Sequence, residues 1–84
     1  MRDIYKAIKE NNMALLIDFI KSGQDLNIIN EHTFTPLQYA ILKGNLGIAL
    51  LLIECGARYD SKELIIFADK TGQNEISEAL KLVI

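Results

Sequence analysis

Apolar positions fall into two short runs between Thr35 and Asp60, and a glycine closes each run. Leu37, Ala40 and Ile41 recur at three- and four-residue spacing, which gives one face of a helix. Leu46, Ile48, Ala49, Leu51 and Leu52 give a second helix a broad apolar face. The polar residues around these runs read as start and stop signals. Thr35 offers a hydroxyl to cap the first helix, and Pro36 stands at the first helical position, where its missing N–H costs nothing. Gln38, three residues on, can reach back to the cap residue's own N–H and complete a capping box. Gly44 suits the left-handed residue that ends the first helix, Asn45 caps the second, and Gly56 ends it. The pattern predicts helix, sharp turn, helix.

The same pattern occurs earlier in the chain. Ala7 stands before Ala40, Asn12 before Asn45, and Gly23 before Gly56, all at one constant separation. The first unit therefore has one helix over about Arg2 to Glu10, with Ile4, Ala7 and Ile8 inward. Its second helix covers about Met13 to Ser22, with Leu15, Leu16, Phe19 and Ile20 inward. Asn11 replaces the glycine between them, asparagine being the next-best residue for a left-handed cap. A shortened third unit follows Asp60. Asp60 and Glu63 can box a helix start, and Ala68 to Gly72 copies the spacing of Ala40 to Gly44. Leu64, Ile65, Phe67 and Ala68 are expected to pack on the central unit, and Ile76, Ala79, Leu80 and Val83 to face inward from a last helix starting near Asn74. Leu82 and Ile84 are expected to fall off that face.

Thr35-Pro36-Leu37-Gln38-Tyr39-Ala40, with the later Gly44 and Gly56-Ala57, resembles the ankyrin repeat. That family has a period of about 33 residues and the signature Thr-Pro-Leu-His-x-Ala. The constant separation of the paired alanines, asparagines and glycines equals that period. Gln38 in place of histidine is the one departure within the signature. The resemblance implies an all-α fold: an ankyrin-type helical solenoid of about three stacked helix-turn-helix pairs with one short β-turn finger. Residues 1–84 would form a single domain, with repeats at about 2–27, 28–60 and 61–84. Ile28 to Phe34 would form the finger. Its usual glycine is Thr33 here, so a different turn is expected at the tip, because positive φ strains a residue other than glycine.

Composition narrows the function classes. The chain has 84 residues, half of them apolar and 24% charged, which is globular and small enough for one domain. A net charge of −2 and the lack of a basic stripe argue against nucleic acid and anionic membrane as partners. The charged N-terminal residues do not resemble a signal peptide, and no apolar run is long enough to span a bilayer. A single cysteine, Cys55, cannot form a disulfide within the chain, so a reducing, cytoplasmic setting is expected. It sits in the last turn of a helix, where the dipole disfavours a thiolate, and reads as a half-buried inert thiol.

Candidate chemistry is sparse. His32, the only histidine, reads as an exposed turn residue rather than a base, since neighbouring Glu31 is poorly placed to orient it. One cysteine and one histidine make no zinc site. Gly44 to Gly47 precede a helix but lack the lysine and hydroxyl of a phosphate loop. No catalytic residue, metal site or cofactor is expected, and the chain does not read as an enzyme.

The resemblance implies a protein–protein interaction module that binds and modulates a partner through the finger and the concave face of the first helices. Carried onto this sequence, the partner-binding positions are Glu31, His32 and Phe34 in the finger, and Lys9, Glu10, Leu42, Lys43, Lys70 and Thr71 on the helices. Phe34 would either be the central aromatic anchor or pack back on Tyr39 or the neighbouring repeat. Small free-standing proteins resembling this one in bacteria and large viruses include immunity proteins, inhibitors and effectors. The alternative reading is a self-associating structural unit, motivated by the apolar C-terminal helix with Leu80, Leu82, Val83 and Ile84.

The register makes one direct prediction. Ala40→Asp places an unpaired charge between helices and is expected to cost several kcal/mol, on the order of the whole stability of so small a domain. A melting curve matching wild type would contradict the register.

Overall fold

The computed structural model describes residues 3–84 and contains six helices: α1 (Ile4–Lys9), α2 (Met13–Lys21), α3 (Pro36–Leu42), α4 (Leu46–Glu54), α5 (Ser61–Lys70) and α6 (Asn74–Val83). There is no strand among the described residues. Helices pair in sequence, α1 with α2, α3 with α4, and α5 with α6. The first helices of the pairs also touch, α1 against α3 and α3 against α5. The result is a stack of three antiparallel hairpins. Arg2, expected in the first helix, lies outside the described residues; α1 begins at Ile4 behind an Asp3 cap whose Oδ1 accepts the Tyr5 N–H at 2.9 Å.

Each helix is 6 to 10 residues long, too short to persist alone in water. Burial between hairpins therefore decides whether they form. Ala7, Ala40 and Ala68 are each completely buried at matching places in α1, α3 and α5. Ile8, Leu16, Leu37, Ile41, Ile48, Leu52 and Leu80 complete a continuous apolar seam along the stack. Each such Leu or Ile contributes roughly 1.5–3 kcal/mol over its exposed state.

The helix ends follow the sequence signals closely. Thr35 Oγ1 accepts the Gln38 N–H at 3.2 Å, and Gln38 Oε1 accepts the Thr35 N–H at 3.0 Å, a complete capping box. Asn12 and Asn45 cap α2 and α4, and Asp60 caps α5. Asn11 takes φ 54° where the next hairpin has Gly44 at 74°. Gly23 and Gly56, at equivalent places after α2 and α4, both have positive φ and both face open space.

Polar side chains also stitch neighbouring hairpins at repeated positions. The Asn45 amide donates to Asn11 Oδ1 at 2.8 Å, and the Gln73 amide donates to the Leu42 carbonyl at 3.3 Å. Gln73 thereby leaves α6 without a side-chain cap. On the opposite loops, the Arg58 N–H donates to Asn27 Oδ1 at 2.7 Å.

Two expectations for the last helix are corrected. Val83, expected on the inward face, is 59% exposed, while Ile84, expected outside, is half-buried against the core. The buried row runs at four-residue spacing through Ile76, Leu80 and Ile84, which leaves Val83 one step off it. Leu82 is exposed as expected, at 87%. Cys55 is also corrected: it is exposed rather than half-buried, because it is the C-cap residue of α4, where the chain turns out toward Gly56.

Ser77 is the polar intruder in the core. It is 1% exposed, and its hydroxyl has no hydrogen-bond partner. Ser77→Ala removes an unsatisfied polar group and improves helix propensity, so it is expected to raise stability by about 1 kcal/mol, read as a higher urea midpoint with unchanged slope.

Candidate functional site

The finger between α2 and α3 is built around Asn30. Its side-chain oxygen accepts the His32 N–H at 2.9 Å and the Phe34 N–H at 3.1 Å. Its backbone carbonyl accepts the Thr33 N–H at 3.0 Å, and its backbone N–H donates to the Phe34 carbonyl at 3.1 Å. This is a three-residue hairpin loop whose last residue is left-handed. Thr33 fills that place at φ 64°, so the turn keeps its left-handed residue despite the missing glycine, and the expected change of turn does not occur. The Asn30 side chain holds the backbone on both sides of the strained residue, and the Thr33 hydroxyl adds a bond to the His32 carbonyl at 2.6 Å.

Tyr5 fastens the finger to α1. Its hydroxyl lies 2.7 Å from the Phe34 carbonyl and 3.2 Å from the Ile28 carbonyl, so one proton serves acceptors at both ends of the finger. Burial pushes the hydroxyl's pKa up to about 12, and the carboxylates of Asp3 and Glu31 push in the same direction. The Tyr5 ring meets Tyr39 of α3 edge-to-face at 5.4 Å, and the Lys43 ammonium sits 5.3 Å from the centre of the Tyr39 ring.

These elements enclose a groove of about 660 Å³. Asp3, Tyr5, Lys6, Lys9 and Glu10 line it from the first hairpin, Asn30, Glu31 and His32 from the finger, and Tyr39 from α3. Of the positions expected from sequence, Lys9, Glu10, Glu31 and His32 are brought together here. Lys43 stands beside it on Tyr39 and shares a second depression of about 380 Å³ with Lys9. Glu31 and His32 side chains are 3.8 Å apart and well exposed, a solvated contact rather than an oriented dyad.

The other expected positions lie elsewhere. Phe34 is half-buried and packs edge-to-face on Phe67 of α5, with ring centres 5.7 Å apart. It joins the finger to the third hairpin and does not stand free as a central anchor; such a pair adds about 0.5–1.5 kcal/mol beyond its burial. Leu42 is half-buried, and its carbonyl receives the Gln73 amide. The Thr71 hydroxyl donates back to the Phe67 and Ala68 carbonyls at the end of α5. Lys70 is exposed on the same helix end.

Sequence reasoning missed Tyr5 and Asn30. Tyr5 carried a faint signal: it is an aromatic with a polar tip, one step off the Ile4, Ala7 and Ile8 face. Asn30 opens a loop whose closure is visible only in three dimensions. Among the described residues there is no group of three or more Cys, His, Asp or Glu placed to hold a metal, and no helix is long and apolar enough to cross a membrane.

Tyr5→Phe removes the pin and is expected to cost about 0.5–1.5 kcal/mol. The raised pKa means that the neutral hydroxyl stabilises the fold. That stability is complete below the unfolded value near 10 and is lost as pH rises through about 12. Wild type should therefore lose stability across this window more steeply than Tyr5→Phe in urea melts, and its tyrosinate absorbance should show a late step that the variant lacks.

Comparison with known proteins agrees with this architecture. The family model described as ankyrin repeats (many copies) matches residues 4–53, more than half of the chain and the whole span from α1 into α4. No curated protein matches significantly. The matched stretch holds the capped α3, the left-handed Gly44 and the pinned finger, and the chain belongs to the ankyrin repeat family, whose members are typically non-enzymatic modules for binding other proteins.

Proposed function

We propose that this protein is itself a non-enzymatic module that binds and modulates one partner protein, using the groove between α1, the finger and α3. The observation that carries the reading is the pinned finger. Tyr5 and Asn30 fix the loop against α1, so Glu31 and His32 are presented on a rigid support beside Lys9, Glu10 and Tyr39. A surface ordered before contact loses less entropy on binding. Lys43 extends the contact surface along α3, while Leu42, Lys70 and Thr71 offer a further row at the ends of the inner helices. Phe34 contributes through its half-exposed ring. The lone exposed Cys55 suits a reducing, cytoplasmic setting.

Self-association is the second reading, favoured by apolar residues left in water. Leu82 and Val83 of α6 are joined on α5 by Ile66, 43% exposed. Light scattering across concentration separates the two readings: a strict monomer whose stability is independent of concentration removes the second.

The groove reading is tested by exchanging two exposed charges, Lys9→Glu with Glu10→Lys, which leaves the net charge of the chain unchanged. Affinity purification from the source cell followed by mass spectrometry should return a partner on wild type that the exchange variant loses, with equal melting curves. A partner held equally by both would place the contact elsewhere.

A further inference from the structure

The finger end of the groove has a character that its overall lining hides. Asp3 from the cap of α1 and Glu31 from the finger line this groove together with Tyr5, and theirs are the charges that act on its hydroxyl. No lysine or arginine among the described residues pairs with either carboxylate. Asp3 gives one oxygen to the Tyr5 N–H, and Glu31 has only the loose contact with His32. Lys6 and Lys9 line the same groove from α1 without pairing with either carboxylate. The same groove offers aromatic surface, the Tyr5–Tyr39 pair. That pair already attracts a cation, since Lys43 has settled on the Tyr39 ring.

We propose that the finger end of the groove seats the guanidinium of an arginine on the partner's surface, lying against Tyr5 and Tyr39 and paired with Asp3 and Glu31. The flat guanidinium stacks on aromatic rings and directs five N–H groups in its own plane, so it can answer two carboxylates from different elements at once. A lysine ammonium is a point charge with a stronger hold on water, and it satisfies the same place less well. The inference rests on the partner-binding reading and gives that partner a chemistry: a basic, arginine-bearing segment.

The test uses isotope-labelled full chain and three acetylated, amidated tripeptides, Gly-Arg-Gly and its lysine and citrulline counterparts. The arginine peptide should give saturable shifts at the amides of Tyr5, Glu31 and Tyr39. The lysine peptide should bind about fivefold more weakly, and neutral citrulline should not saturate. The double variant Asp3→Asn, Glu31→Gln keeps the α1 cap, because asparagine caps as well as aspartate, and should weaken arginine binding by about fivefold or more. Equal binding of citrulline, shifts that never saturate, or indifference to the double variant would each overturn the proposal. A cellular partner held equally by wild type and the double variant would overturn it too, while leaving partner binding intact. Saturable arginine binding with no partner recovered would support the guanidinium seat itself and count against the partner-binding reading on which its biological use rests.

Discussion

The fold depends on how closely α1, α3 and α5 can approach one another. Helices of this length have almost no stability of their own, so each must be held by its neighbours. Ala7, Ala40 and Ala68 make this possible: a methyl group at each position lets one backbone come near the next, and all three are sealed from water. The isoleucines and leucines around them then fill the seam. In such a stack each unit leans only on the next, and stability is a sum of neighbour interfaces rather than of one deep core. The amides of Asn45 and Gln73 carry the same logic into the polar parts, each reaching back to the preceding hairpin.

The finger shows how a loop is held in one shape without regular strands. Asn30 closes the loop from within and Tyr5 clamps it from outside. The Phe34 ring then leans on Phe67 of the third hairpin, so the loop is anchored to all three units of the stack. Thr33 is the conspicuous exception to local preference. A β-branched residue in the left-handed region is strained, and the bonds of its neighbours over-determine the backbone there. Strain kept in place by surrounding structure at an exposed loop fits an element whose shape matters.

Much of this was readable from residue order, for a physical reason: caps, glycine stops and apolar spacing are local, and α3 and α4 carry all three in sequence. Asn11 and Gly44 could be assigned to left-handed backbone because few residues tolerate it. The reading failed where the outcome depends on distant partners. Val83 and Ile84 exchanged places because helix rotation near a chain end is set by packing, which spacing alone does not specify. Phe34 could be read either as a free anchor or as packing on a neighbouring repeat, and the third hairpin, near in space but remote in sequence, decides for packing on Phe67. The groove was half legible: its charged rim followed from register, but Tyr5 acts through a bond to the carbonyl of Phe34, far along the chain, which no local pattern announces.

The Tyr5–Tyr39 contact has a practical consequence. The chain has three tyrosines and no tryptophan, and two of the three form one wall of the groove. Ultraviolet emission from the unlabelled protein therefore comes in large part from the groove proposed to receive the partner. Quenching or brightening of that glow reports occupancy directly, with no dye to disturb the surface being measured.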